Sequence, residues 1–429
     1  MAKWIGIALG LLVTGQLQAA PLAEHEAVAQ ALGRAPSLHG VQARVRAAEK
    51  NVASAGGLPP PMIRMTISEL TYSEHHQKQP TAWVMVEQPL PLGGQVDAPR
   101  TLARTQVAQA QAEEPGQAGE VAYAARVAFG AWRAAAHKLA ILKHHLGIAE
   151  AIEGVLVRAM AGGRPVSTLR LAQAQADAEG LRAEEAAVQA ALPGLKQQLA
   201  LWMGISADEL GEPELDLPAA PTQVLDWPRH PALQKVDVAR RSLLARAQAE
   251  AAAAGWTVTP GLGLMTMDQM PWGLMLSLAL RPGDWPDRQR SAAKAAATQG
   301  ESDALMPMQR DRLQRLQGAV VQADSELRQL DLRRESLTRK VIPALRRAVQ
   351  AALPGLASGA VSVADIVEAE HRLLSFDLQL ADLEAQWLQA RARRIRLETS
   401  DGDGPALSGG GSAMSSGTMA ADTGSQMSH

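Results

Sequence analysis

The amino-acid sequence predicts a mainly α-helical protein with a membrane β-barrel to which each chain contributes four strands. Three observations predict this fold class. The chain repeats itself once, each copy contains two short stretches in which apolar and polar residues alternate, and each copy ends in two long stretches with helical periodicity. The elements are justified below in the order in which they depend on one another.

The duplication is visible as four segments that return in the same order at an offset near 190 to 199 residues. RAPSL at 34–38 returns as RHPAL at 229–233, and GGRPVSTLRLAQAQ at 162–175 returns as GAVSVADIVEAEH at 359–371. A constant order and a nearly constant offset indicate two copies of one unit. We therefore predict a first repeat at 20–203, a linker at 204–223 and a second repeat at 224–399.

The two ends of the chain lie outside these repeats. Lys3 is followed by an apolar run from Trp4 to Val13 and then by small residues, so residues 1–19 are predicted to be a secretory signal peptide. Residues 400–429 are rich in Gly and Ser and lack periodicity, which predicts a disordered tail. No other stretch approaches the roughly 20 apolar residues that a membrane-spanning helix needs.

Composition narrows the class of protein further. The formal net charge is −2, so a nucleic-acid partner is not expected. The chain contains no cysteine, which excludes disulfide bonds and thiolate metal sites.

Long helices dominate each predicted repeat. A moderate helix at about 22–55, or 231–254 in the second copy, precedes the alternating stretches, and two long helices follow them. The long helices are predicted at about 100–160, 167–202, 286–356 and 362–397. Pro343 and Pro354 are expected to interrupt the third of these helices near its end.

The alternating stretches predict strands at about 61–70, 81–90, 257–267 and 272–281. A half-buried strand of a soluble sheet is the alternative interpretation. Four strands of about 10 residues have the length that crosses a bilayer when tilted. Three tryptophans are expected at strand ends, where a membrane interface favours them: Trp83, Trp256 and Trp272.

Four strands cannot close a barrel, and open strand edges are not tolerated in lipid. Several chains must therefore contribute strands, and a homotrimer would give a 12-stranded barrel, an even number within the range of such barrels. The long helices would then project into the periplasm.

Several motifs resemble those of the TolC family of outer-membrane efflux channels, most closely its heavy-metal and cation-efflux branch. They are a duplicated P-x-L (Pro36 with Leu38, Pro231 with Leu233), QPLPLGGQ at 88–95, VIP at 341–343 and G-x-x-S-x-x-D-I-V-E-A-E at 359–370. The resemblance implies a trimeric barrel in the outer membrane continued by a long periplasmic α-helical tunnel. It also implies a periplasmic adaptor protein and an inner-membrane RND pump as partners, and a conduit that catalyses nothing and needs no cofactor.

The resemblance also assigns a pore aperture to Asp365 and Glu368. These residues are three apart, so their carboxylates share one helix face. Three copies around an axis would form stacked carboxylate rings, a common device in cation pathways. A solvated helix face is the alternative interpretation of such a charge pair.

The cargo is indicated only by soft ligands near the predicted hairpins. Met265, Met267 and Met275 in the second copy, and His75 and His76 in the first, are candidate lumen or metal contacts, because thioethers and imidazoles suit Cu(I) or Ag(I). The alternative is that methionine replaces leucine in a chain with only two phenylalanines. No tight ligand spacing is present, so no metal site is predicted.

Two other classes of protein remain open at this point. A periplasmic adaptor protein of the membrane-fusion type is also exported and rich in helical hairpins, but it would not need two copies with membrane-length strand pairs. A soluble periplasmic metal-binding helical protein is the second alternative. The sequence contains no Ser/His/Asp, phosphate-loop or metalloprotease pattern that would favour an enzyme.

Overall fold

The computed structural model describes residues 21–71, 78–162, 167–221, 225–267, 270–282, 285–358 and 363–400. The predicted signal peptide, His75, His76 and the tail beyond Ser400 lie outside these residues. In this fold, helices lead into strands and strands lead into long helices, and the same order occurs twice along the chain.

The first half contains four helices and three strands. They are α1 (Glu24–Arg34), α2 (Pro36–Ser54), β1 (Met62–Thr71), β2 (Lys78–Glu87), β3 (Leu90–Pro91), α3 (Asp97–Ala161) and α4 (Thr168–Met203). The single helix predicted at 22–55 is two helices. Pro36 begins the second of them, because proline has no N–H to donate to the preceding turn and is well suited to a helix start.

The second half repeats this order after an irregular linker. Its elements are α5 (Pro231–Ala253), β4 (Thr257–Met267), β5 (Met270–Arg281), α6 (Trp285–Ser336), α7 (Ile342–Ser358) and α8 (Val363–Arg396). A π-helical turn at Leu337–Val341 separates α6 from α7 just before Pro343, as expected of a proline that cannot continue the hydrogen-bond ladder. Pro354 does not interrupt α7, so that part of the prediction was wrong.

The strands form one antiparallel sheet in the order β1–β2–β4–β5, with the short β3 continuing β2 along β4. β2 begins at Lys78, three residues before the predicted start at 81, because it pairs with β1 along its whole length from Thr71↔Lys78 to Met62↔Glu87. β1 and β5 are the outer strands. Adjacent strands alternate in direction across the sheet.

One face of the sheet is apolar and exposed across all four strands. The register aligns Ile63 with Val86, Val86 with Leu262, and Leu262 with Leu276, and neighbouring rows repeat the pattern. Ile63 is 76% exposed and Leu276 77% exposed. The side chains of this apolar face are Ile63, Met65, Ile67, Val84, Val86, Leu262, Leu264, Leu274, Leu276, Leu278 and Leu280.

The helices bury small and aromatic residues where they cross. Phe129 and Trp132 of α3 pack edge to face against each other, among residues of α1, of the end of α4 and of the linker. A second core joins α6, α7 and α8 around Trp387. Gly130 brings α3 close to α8, since a Cβ there would lie 3.4 Å from the Cβ of Leu388. Within the described ranges, no helix is both long enough and apolar enough to cross a membrane.

Candidate functional site

The predicted aperture residues lie in the first turns of α8, which begins at Val363. Asp365 and Glu368 are both exposed, whereas Ile366 of the same turn is buried. Because 3.6 residues complete a turn, the apolar and acidic residues separate onto different faces. The two carboxylates are therefore presented away from the core of their own chain.

Glu368 has a partner that the sequence analysis missed. Arg372 donates a hydrogen bond to the Glu368 carboxylate one turn further along α8, and both side chains remain about two-thirds exposed, at 65% and 64%. An exposed pair of this kind contributes little to stability. The contact reduces the negative charge that Glu368 presents to its surroundings.

A line of ionic contacts joins α3 to the part of α8 that follows Glu368, and we call it the α3–α8 ionic seam. α8 contributes acids at seven-residue intervals within its buried stripe: Glu370, Asp377 and Glu384. α3 contributes the basic partners in the opposite chain direction: His145, His137 and Arg133. Seven residues make almost two helical turns, so these acids recur on one face among buried residues such as Leu373.

The end of the ionic seam farthest from the predicted aperture is formed around Glu384. Arg133 is 2% exposed and contacts the Glu384 carboxylate at 3.4 Å, while His137 contacts it at 3.1 Å. Arg133 also donates a hydrogen bond to the carbonyl oxygen of Leu215, which fixes the linker between the repeats to α3. Burial alone would raise the pKa of Glu384, but the contacts with His137 and Arg133 outweigh it and lower that pKa.

The end of the seam nearest the aperture is formed around His145. This residue is 4% exposed; its Nε2 lies 3.1 Å from the Asp377 carboxylate and its Nδ1 lies 3.6 Å from that of Glu370. Arg346 of α7 contacts the other oxygen of Asp377 at 3.3 Å. Burial alone would lower the pKa of His145, but its two carboxylate partners outweigh burial and raise the pKa to about 9. His145 is thus an imidazolium at neutral pH.

The sequence contained a signal for this seam. Glu370, Asp377 and Glu384 fall at helical spacing with apolar residues of α8, and acidic residues inside an apolar stripe require cationic partners. What the sequence could not supply was the helix that provides these partners, because His145 and Glu370 are 225 residues apart in the chain.

The face of the sheet opposite the apolar face is polar and contains methionines. Met265 and Met275 alternate with the exposed leucines and share this face with Met85. The Ser277 hydroxyl donates a hydrogen bond of 3.0 Å to the Met85 sulfur. Met267 pairs with Met270 at the end of the β4–β5 hairpin.

Two of the three predicted interface tryptophans lie near strand ends. Trp256 immediately precedes β4 and Trp272 is the third residue of β5, and both are exposed. Trp83 was wrongly placed: it is the sixth residue of β2 and alternates with Val84, so it belongs to the polar face, opposite Met265. The error came from the predicted start of β2, which the pairing with β1 moves towards the N-terminus.

No metal centre is evident in the described part of the chain, where no group of three or more His, Asp or Glu residues is arranged to hold an ion. The acids of the ionic seam are engaged with basic side chains instead. What the arrangement offers is a strand sheet with one apolar face, a long helical section and an exposed acidic helix start.

Solved structures of outer-membrane proteins share this fold. The outer membrane protein VceC of Vibrio cholerae matches with a TM-score of 0.66 and 17% sequence identity over 88% of this chain and 96% of that one. CusC, whose structures concern folding and transmembrane channel formation, matches with a TM-score of 0.66 and 14% identity over 88% of this chain and 92% of that one. The chain has the fold of a TolC-type outer-membrane channel, which confirms the predicted fold class and resemblance.

Part of the sequence also resembles known proteins. Residues 27–204 match the family model of the outer membrane efflux proteins. The nickel-cobalt-cadmium resistance protein NccC of Alcaligenes xylosoxydans xylosoxydans is 31% identical over 188 residues, which is 43% of each chain, so the similarity spans less than half the length of that relative.

Proposed function

We propose that this protein is the outer-membrane channel of a tripartite efflux system, a homotrimer that conducts cations from the periplasm or from a pump to the cell exterior. The single observation that carries the proposal is the exposed apolar face that continues across all four strands. Water does not stabilise such a surface, whereas lipid does.

The strand directions support closure by three chains. β1 and β5 are the outer strands and run in opposite directions, so β5 of one chain meets β1 of the next in the antiparallel sense that such barrels use. Three chains would bring twelve strands together and leave no edge in lipid. The signal peptide predicted at 1–19 supports export to the outer membrane.

Asp365 and Glu368 are proposed as the aperture at the periplasmic end of the helical section. Their support is their exposure at the start of α8, on a face that does not pack within the chain. In a trimer, three copies of each would converge, and the combined field would attract cations and bind multivalent ions well enough to slow their passage.

The finer parts of the proposal concern partners and cargo. A periplasmic adaptor protein and an inner-membrane RND pump would complete the pathway across the cell envelope. The similarity to NccC supports metal cations as cargo, over small toxic molecules. Met265 and Met275 remain proposed lumen contacts, supported by their position on the polar face of the sheet, and Trp256 and Trp272 remain proposed interface anchors.

The proposed aperture is tested by removing its charge without changing its size. In planar bilayers, the wild-type channel should be cation-selective and should lose conductance when Mg²⁺ is added from the periplasmic side. Asp365→Asn combined with Glu368→Gln should weaken both properties and leave trimer assembly intact, because neither side chain packs in the core.

The matched control is Glu179→Gln on α4. Glu179 is an exposed carboxylate that pairs with an arginine on its own helix, Arg182, as Glu368 pairs with Arg372. This control should have the same cation selectivity and the same block by Mg²⁺ as the wild type. If the double variant does so as well, Asp365 and Glu368 are only a solvated helix face.

A further inference from the structure

We propose that His145 is the positioning residue of the aperture: as an imidazolium held between Glu370 and Asp377, it fixes the rotation of α8 and so directs Asp365 and Glu368. The inference rests on the proposed channel function. It assigns a role to His145, which lies on α3 and is far from Asp365 and Glu368 in sequence. The geometry of the proposed carboxylate rings would depend on this residue.

His145 bridges two turns of the same helix, α8. Its two ring nitrogens face Glu370 and Asp377, which are seven residues, or almost two turns, apart on α8. A side chain that contacts two turns of a helix resists rotation of that helix as well as its translation. A single ion pair would leave the helix free to turn about that contact.

His145 is also the contact of the ionic seam closest to the aperture. Glu370 follows Glu368 by two residues and Asp365 by five, which places this contact about 7.5 Å along the helix axis from Asp365. Ile366 and Leu373 pack on the same stripe, but apolar contacts alone allow helices to slide over one another more readily than a bridged charge does.

The charges around His145 are balanced. With His145 protonated, two cations, His145 and Arg346, face two anions, Glu370 and Asp377. Among the described residues, Arg346 forms its ion pair with Asp377 rather than with Glu370. The Glu370 side chain is 12% exposed, and one of its oxygens makes no hydrogen bond there. Loss of the His145 proton would therefore leave the Glu370 carboxylate mostly buried beside a neutral ring, which favours movement of α8 towards water.

Other titratable and charged groups share the space around His145. A cavity of about 280 Å³ between α3, α4 and α8 is lined in part by His145, Glu370 and His371, together with Asp177 and Glu184 of α4. Asp177 is 3.0 Å from His371, a contact on the exposed side of the cavity. His144 precedes His145 on α3, with ring centroids 5.5 Å apart, and makes a natural control.

The pH dependence has a defined sign. The pKa of His145 is raised from its ordinary value of 6.5 to about 9 in the folded protein. The stabilisation from this contact is complete below pH 6.5 and is lost as the pH rises through about 9. The block of the channel by Mg²⁺ should follow the same profile, because it depends on the same contact.

The experiment uses the full-length trimer in detergent and in planar bilayers, with Mg²⁺ as the probe. His145→Gln should need about fivefold or more Mg²⁺ for half block at neutral pH. In the wild type, the Mg²⁺ block and the midpoint temperature of unfolding should both decrease between neutral pH and pH 10. In His145→Gln, neither quantity should decrease over this range. His144→Gln should behave like the wild type in both measurements.

Rescue by charge completes the test. His145→Lys keeps a cation and should restore the block at neutral pH, with its decline moved above that of the wild type because a lysine ordinarily titrates near 10.4. If His145→Gln does not assemble, assembly of His145→Lys supports the proposal and its failure overturns it. A His145→Gln channel with the wild-type block and pH profile would also overturn it.

Failure of the proposed channel function gives a different result. A wild-type protein that conducts no ions would remove the channel assignment, and with it the aperture that His145 is proposed to position. The contact of His145 with α8 could still be detected in that case. The wild type would lose thermal stability between pH 7 and pH 10, and His145→Gln would not.

Discussion

At the scale of single residues, the chain depends on a few basic side chains of α3 that neutralise acids of α8. Arg133 is one of them: it is buried and hydrogen-bonded to both Glu384 and the Leu215 carbonyl oxygen. These contacts hold the linker and the two repeats at one point. A buried hydrogen bond to a charged group typically contributes about 1.5–3 kcal/mol.

We expect Arg133→Met to lower the free energy of unfolding by about 1.5–3 kcal/mol, since it keeps much of the apolar stem but leaves Glu384 with His137 alone. Arg315→Met on α6 is the control: its contact with Asp311 is exposed, and the loss should stay within about 0.5 kcal/mol. Denaturant unfolding of both variants, followed by circular dichroism in detergent, measures this difference. Equal losses would show that the buried contacts add no stability.

At the scale of elements, alternation in the sequence predicted the strands well where it was regular. β4 is observed at Thr257–Met267, against a predicted 257–267, because apolar Val258, Leu262 and Leu264 alternate with Thr and Gly over most of its length. The start of β2 was predicted three residues too late because residues 80–88 alternate poorly. Its pairing with β1 determines where the strand begins. Trp83 was misassigned to a strand end for the same reason.

The ionic seam shows the limit of sequence reasoning at this scale. The seven-residue spacing of Glu370, Asp377 and Glu384 was readable, but the facing positions of His145 and Arg133 follow from the antiparallel packing of α3 on α8. The close approach at Gly130 contributes to that packing. Such long-range pairing is a tertiary property that local periodicity does not encode.

The two faces of the sheet should respond differently to the same substitution. We expect Leu276→Arg, on the apolar face, to cost about 2–4 kcal/mol near the bilayer midplane and to reduce the amount of trimer recovered from outer membranes. Ala279→Arg, on the opposite face of the same strand, should be recovered at the wild-type level. Immunoblots of membrane fractions measure both, and equal recovery of the two variants would contradict a lipid-facing assignment.

At the scale of the whole molecule, one assembly has to satisfy both the sheet and the helices. A single chain has an exposed apolar face, which is unfavourable in water. It also has two outer strands, whose unpaired backbone groups are unfavourable in lipid. A trimer removes the edges and turns the apolar face to the membrane. The same trimer would bring three copies of α8, and hence of Asp365 and Glu368, around one axis.

Disulfide cross-linking between β1 and β5 tests this assembly most directly, because the natural chain contains no cysteine. Thr66→Cys in β1 is combined in turn with Gly273→Cys, Met275→Cys, Ser277→Cys or Ala279→Cys in β5. Within one chain, β2 and β4 separate these strands, so the pairs lie about 14 Å apart, beyond the reach of a disulfide.

We expect at least one pair to form a disulfide between chains in outer membranes, and the largest covalent product to contain three chains. Each single-cysteine variant should give no product larger than two chains. Failure of every pair to cross-link chains, or an open-ended series of products longer than three chains, would contradict a closed trimeric barrel.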